Sequence, residues 1–174
     1  MPDLKDFRML AEHSPVAGHS PDRDRPIGGY AALTGTFLSL AGSFGIWFHR
    51  SGRRLPDEMR FRDMLLLSVA AHKSARTLTA DRVTSAVRAP FTEFQGDAGP
   101  GEVSERARGR GLRRAVGELL TCPFCLGMWM SALFTAMLLV CPRATRWFAA
   151  VWAIFFGSEM LQIAYKRAES TLAG

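Results

Sequence analysis

The chain has 174 residues, 48% of them apolar, with 22 basic against 16 acidic residues and a formal net charge of +6. That length suits one modest domain or one small helical bundle, and three cysteines exclude a disulfide framework, which needs even numbers and an oxidising compartment. Charge is segregated: basic residues flank three long apolar segments, which is a membrane pattern in which they set topology and meet anionic lipid rather than nucleic acid.

Residues 1–26 mix acids and bases with Pro15, Pro21 and Pro26. They predict a polar, flexible tail without a signal peptide. The first predicted transmembrane helix, 27–48, carries no charge and is long enough to cross a hydrocarbon core of about 20 helical residues, with Tyr30 and Trp47 at the two interfaces. The connection 49–63 holds Arg50, Arg53, Arg54, Arg60 and Arg62. In 64–80 an apolar run from Met64 to Ala71 is followed at once by His72, Lys73 and Arg76. Eight apolar residues span only about 12 Å as a helix, so an interfacial or half-inserted helix is expected.

Residues 81–120 read as a loop with short helices, carrying seven arginines from Arg82 to Arg114. Its part from Gln95 to Gly111 is rich in glycine and charge and reads as a flexible connector. Two further spans follow, 121–141 and 147–165, joined by a tight turn through Pro142 and Arg146, and then a short tail over 166–174. If the 64–80 helix does not cross, both basic connections and the Lys166-Arg167 end lie in the cytoplasm. The expected fold is therefore all-α: an integral membrane bundle of three transmembrane helices plus one interfacial helix, in a bacterial plasma membrane, with an outside N-terminus and a cytoplasmic C-terminus. Small residues at four-residue spacing (Gly35 and Ser39; Gly127 and Ser131; Ala153 and Gly157) are the expected helix-packing faces.

Chemistry concentrates at Cys122-Pro123-Phe124-Cys125. Proline suits a first helical turn, which places Cys122 at the N-cap and Cys125 one turn in, where exposed N–H groups favour a thiolate. Cys141, sixteen positions beyond Cys125, is about 24 Å away along a helix and out of reach. Three readings stand: a thiol-disulfide site, without the βαβ surroundings of thioredoxin; half of a zinc or other thiophilic metal site, completed by His72 or a second subunit; or thiols that cap and fill a helix end. Glu159 adds a carboxylate inside the last apolar segment, where it needs a partner. Gln162 lies one turn on, Lys73 and Arg76 are candidate counter-charges, and Asp81, Arg82 and Arg88 are expected just beneath.

The block from Gly117 to Trp129, with its Cys-Pro-x-Cys-x-Gly-x-Trp core, closely resembles the signature of the bacterial membrane family DUF1360, a domain of unknown function. His72-Lys73-Ser74-Ala75-Arg76, Asp81-Arg82-Val83-Thr84 and Arg88 look like that family's second block, and the likeness covers roughly 64–165. It implies an integral membrane protein and supplies no activity. The expectation is a non-enzymatic membrane component or accessory protein, with a thiol-redox or metal-binding membrane protein as alternative and a subunit of an oligomeric transporter as the weaker one. Its expected partners are the lipid bilayer, anionic head groups at the basic loops, and a second copy of the chain.

Overall fold

The computed structural model describes residues 26–172, so the expected tail over 1–26 falls almost entirely outside the described residues. Six helices and one hairpin follow in order: α1 (Ile27–Arg50), α2 (Phe61–Ala80), a 3-10 turn (Arg82–Thr84), α3 (Ser85–Arg88), β1 (Thr92–Gly99), β2 (Glu102–Ala107), α4 (Gly111–Thr121), α5 (Pro123–Val140) and α6 (Pro142–Leu172). Three of these, α1, α5 and α6, are long and apolar enough to cross a membrane. They are the three segments expected from the sequence. Pro123 and Pro142 each open a helix, because a first-turn residue needs no N–H partner. As a result only Cys141 separates α5 from α6, and the expected turn through Arg146 is already helical.

The helix expected at the interface is α2. α2 is 20 residues long, about 30 Å, and continues without a break through His72, Lys73 and Arg76. It lies alongside α5 and α6 instead of across their ends. Asp63 meets Arg146 near the start of both α2 and α6, and Lys73 meets Glu159 farther along both, so these two helices run in the same direction. Leu67, Ala70 and Ala71 of α2 enclose the core with Phe134 of α5 and Ala149 of α6. α2 faces protein on its polar side: its buried residues include Asp63, Lys73, Ser74, Thr77 and Thr79. A hydropathy count cannot distinguish such a face from one turned to water.

The expected small-residue faces are also not where the helices meet. A Cβ added at Gly35, Gly127 or Gly157 would meet nothing within 4 Å, and Ser39 and Ser131 are exposed. Ala153 is half-buried. The close approaches fall at Gly29, where a Cβ would stand 2.6 Å from Ala115 Cβ, and at Gly117, where it would stand 2.5 Å from the Phe91 carbonyl oxygen. The first lets α1 rest on α4, and the second lets α4 rest on the root of the hairpin.

That hairpin corrects the all-α expectation. Residues read as a flexible connector form an antiparallel pair in which Thr92 faces Ala107 and Phe94 faces Glu105. The glycines taken as a sign of flexibility supply backbone geometry instead: Gly101, at φ 80°, makes the turn after Pro100. The Arg82 N–H donates to the Gly101 carbonyl at 2.8 Å and ties the hairpin tip to the end of α2.

The bundle has two distinct ends. The start of α1, the end of α2, the hairpin, α4 and the start of α5 gather at one, the hairpin end. The segment 51–60, the start of α2 and the α5–α6 corner gather at the other, where Arg53 donates to the Val140 carbonyl at 2.9 Å. The beginning of α1 and the Glu159 region of α6 therefore share an end.

Candidate functional site

The hairpin end holds a charged interior. Lys73 is 1% exposed, and its Nζ lies 2.6 Å from Glu159 Oε1 and 3.9 Å from Asp81 Oδ2, above the Phe155 ring at 4.3 Å. A lysine so buried is costly unless carboxylates stand beside it, and Glu159 and Asp81 approach it from different elements. The ring supplies further attraction through its negative face.

Below this pair sits Arg88, completely buried on the short helix α3. Its Nη1 donates to the Leu78 carbonyl at 2.9 Å and to Thr84 Oγ1 at 2.6 Å; its Nη2 donates to the Asp81 carbonyl at 3.0 Å. The guanidinium thus satisfies the Leu78 carbonyl, which the last turn of α2 leaves without an intrahelical donor, and that of Asp81, which caps the helix. Nε and Nη2 also bind the two oxygens of Glu105 on β2, each at 3.0 Å. Ser85 Oγ and Thr92 Oγ1 donate to the same carboxylate at 2.8 and 2.6 Å. Burial pushes the Glu105 carboxyl up, but hydrogen bonds from Arg88, Thr92 and Ser85 outweigh it and hold the group below its ordinary value. Asp81 joins the two clusters, with its carboxylate toward Lys73 and its carbonyl on Arg88.

The expected polar cluster is thereby divided. Lys73, Glu159 and Asp81 meet, with Arg88 next to them. Arg76 instead pairs with Glu102 and Arg82 with Asp97, each at 2.6 Å on the hairpin, while Gln162 is exposed. Two partners went unread in the sequence. Glu105 needed the hairpin, for which the turn dipeptide Pro100-Gly101 was the available signal. The bidentate Asp63–Arg146 pair, with both contacts at 2.8 Å, had no local signal, since its members lie 83 residues apart.

The cysteine pair lies on another face of the same end. Cys122 N-caps α5, and its Sγ accepts the Cys125 N–H at 3.2 Å, as Pro123 at the first helical position dictates. All three cysteines are free. Cys122 and Cys125 line a groove of about 540 Å³ between α1, α4 and α5, walled by Phe37, Met128 and Trp129. Tyr30 of α1 hydrogen-bonds Glu118 of α4 across its edge. His72 does not reach these thiols: its ring stands edge-on to Phe156 of α6 at 5.9 Å. Among the described residues no group of three or more His, Cys, Asp or Glu side chains comes together as a metal cluster.

These features define a mostly helical protein with three helices fit by length and composition to span a membrane, a charged interior and a hairpin cap. The chain belongs to the family described as "Protein of unknown function (DUF1360)", whose model matches residues 66–165. It is similar to the "Sporulation protein YjcA" of Bacillus subtilis (strain 168), at 32% identity over 94 residues, which covers 52% of this chain and 80% of that protein. No solved structure matches. The family region takes in the charged interior, the hairpin and the cysteine pair, while α1 lies outside it.

Proposed function

We propose that the protein is a non-enzymatic accessory component of the bacterial plasma membrane, a helical scaffold in which α2 crosses the bilayer together with α1, α5 and α6. The observation that carries this reading is that its buried charges are used on one another. Among the described residues, Asp63, Lys73 and Arg88 are buried as whole residues and the Glu105 side chain is buried too, and each holds an opposite charge at 2.6 to 3.0 Å. Groups so engaged stabilise a particular packing and are not presented to a substrate. The likeness to YjcA, which is named for sporulation, supports a cellular rather than a metabolic role.

Four crossings place both ends of the bundle's chain on one side of the membrane. The hairpin end carries the seven arginines of 81–120 with Lys166 and Arg167, against the five of 49–63 with Arg143 and Arg146 at the other end. We assign the hairpin end to the cytoplasm on that balance. The test is cysteine accessibility in intact cells and in inverted membranes. Cys122 and Cys125 should react from the cytoplasmic side, and Cys141 and an introduced Ser51→Cys from the outer side. Labelling of Ser51→Cys and Cys122 from the same side would remove α2 as a crossing.

The thiol pair supports a second reading, in which it acts as a redox or metal half-site. Its support is the exposure of free Cys125 beside Cys122 at the lip of an open groove. A thiophilic metal such as zinc would need further ligands from a second subunit. Purified protein with less than about half an equivalent of tightly bound metal per chain would count against the metal form.

A further inference from the structure

At the end opposite the hairpin a second groove, of about 550 Å³, opens between the segment 51–60 and the α5–α6 corner. Leu138 and Leu139 of α5 line it on one side, and Leu55 and Met59 of the connecting segment on the other. Arg54 and Arg60 stand at its rim with Glu58. Arg146 also reaches it but is committed to Asp63 by two bonds. The segment and the first residue of α2 are thus amphipathic in an unusual way: Leu55, Met59 and Phe61 are exposed among arginines. In water these apolar side chains would gain nothing by facing out. At a membrane boundary they enter the acyl region while the guanidiniums stay level with phosphate.

We propose that this groove binds one anionic glycerophospholipid, with its phosphate between Arg54 and Arg60 and an acyl chain along Leu138 and Leu139. The proposal rests on the membrane-spanning reading above. Charge complementarity selects the class of lipid. The lining holds three guanidiniums, Arg54, Arg60 and Arg146, against the two carboxylates of Glu58 and Asp63, so the groove is net positive and suits a head group with an uncompensated phosphate. A choline head would bring its own cation against the arginines. Guanidinium also offers phosphate paired, parallel donors that an ammonium group lacks.

The test uses the full chain in detergent, with lipid retention read by native mass spectrometry and thermal unfolding followed in parallel. The probes are phosphatidylglycerol, phosphatidylcholine and inorganic phosphate. Phosphatidylglycerol should bind at least about tenfold more tightly than phosphatidylcholine, and R54Q/R60Q should weaken it about thirtyfold, at roughly one basic contact's worth per arginine. Exposed arginines at the hairpin end serve as control: R106Q/R110Q should leave retention unchanged. Equal binding of both lipids, or undiminished binding to R54Q/R60Q, would overturn the site. Tight binding of inorganic phosphate alone would also overturn it, showing an anion site without a lipid. Alkaline carbonate extraction keeps the two readings apart. A chain that stays in the membrane pellet without lipid preference loses only this site, whereas a chain released without detergent loses the membrane reading itself.

Discussion

Replacing Glu105 with Gln should open the hairpin module without unfolding the helical bundle. The Arg88 side chain is 0% exposed and that of Glu105 is 5% exposed, so the substitution leaves a guanidinium buried without a counter-charge. Breaking a buried pair from one side costs about 3–5 kcal/mol, because the remaining charge cannot reach water. Hydrogen exchange of the amides of β1 and β2 reads this directly as a local opening equilibrium. At roughly 1.4 kcal/mol per decade, protection in E105Q should fall by at least about a hundredfold, or to the floor. The exposed pair Arg82–Asp97 supplies the contrast: its side chains are 61% and 67% exposed, and D97N should change protection by less than about fivefold. The effect should also depend on pH. The folded Glu105 carboxyl titrates below its ordinary value of 4.5, so its stabilisation is complete above that value and is lost as pH falls through the folded one. The gap between wild type and E105Q should therefore narrow in acid. A change in hairpin protection of less than tenfold at neutral pH would refute the argument that Arg88 depends on Glu105.

Other consequences are simpler to read. K73M and E159M should each lower the thermal midpoint in detergent by about 2 kcal/mol, the first by leaving the partly exposed Glu159 without its cation and the second by leaving Lys73 only the more distant Asp81, whereas K73M/E159M should recover much of the loss. A double variant less stable than either single would show that the ion pair contributes more than its apolar replacement. G117A should be destabilising by about 1–3 kcal/mol, since its Cβ would press on the Phe91 backbone, and G29A less so, while G35A should be neutral or slightly stabilising in the same melts. Equal effects of G117A and G35A would mean that α4 does not approach the hairpin root so closely.

What the sequence disclosed followed the range of each signal. Helices α1, α5 and α6 announce themselves by runs of uncharged residues, and Cys122 and Pro123 announce the start of α5, because those signals lie within a few neighbouring positions. The pairing of Lys73 with Glu159 was accessible too: a carboxylate in an apolar segment demands a cation, and few were near the right depth. Three things were not accessible. The length of α2 alongside α5 and α6 was hidden, since its buried charged residues Asp63 and Lys73 are paired with groups more than 80 residues away in sequence. The hairpin looked like a connector, since its glycines and charges are also the composition of a loop. His72 looked like a thiol neighbour, since depth along a helix says nothing about which face of a bundle a side chain enters; its ring is exposed and lies against Phe156 of α6.

Asp81 is where the charged interior and the hairpin touch, and the two contacts it makes have different consequences. Its carboxylate stands 3.9 Å from Lys73, at the outer limit of an ion pair, and Lys73 already has Glu159 at 2.6 Å. Its backbone carbonyl, by contrast, accepts from Arg88 at 3.0 Å and from the Thr84 hydroxyl at 2.9 Å. A side-chain substitution removes the first contact and leaves the second in place. D81N should accordingly cost no more than about 1 kcal/mol in a thermal melt, as for a long, partly screened pair, and should leave the exchange of the β1 and β2 amides unchanged. D81N combined with E159Q should then cost more than the sum of the two, because Lys73 would lose both carboxylates at once and neither single change leaves it alone. Collapse of hairpin protection in D81N would show that the carboxylate, not the carbonyl, holds the two clusters together. Strict additivity in the double variant would show that Lys73 does not share its charge between them.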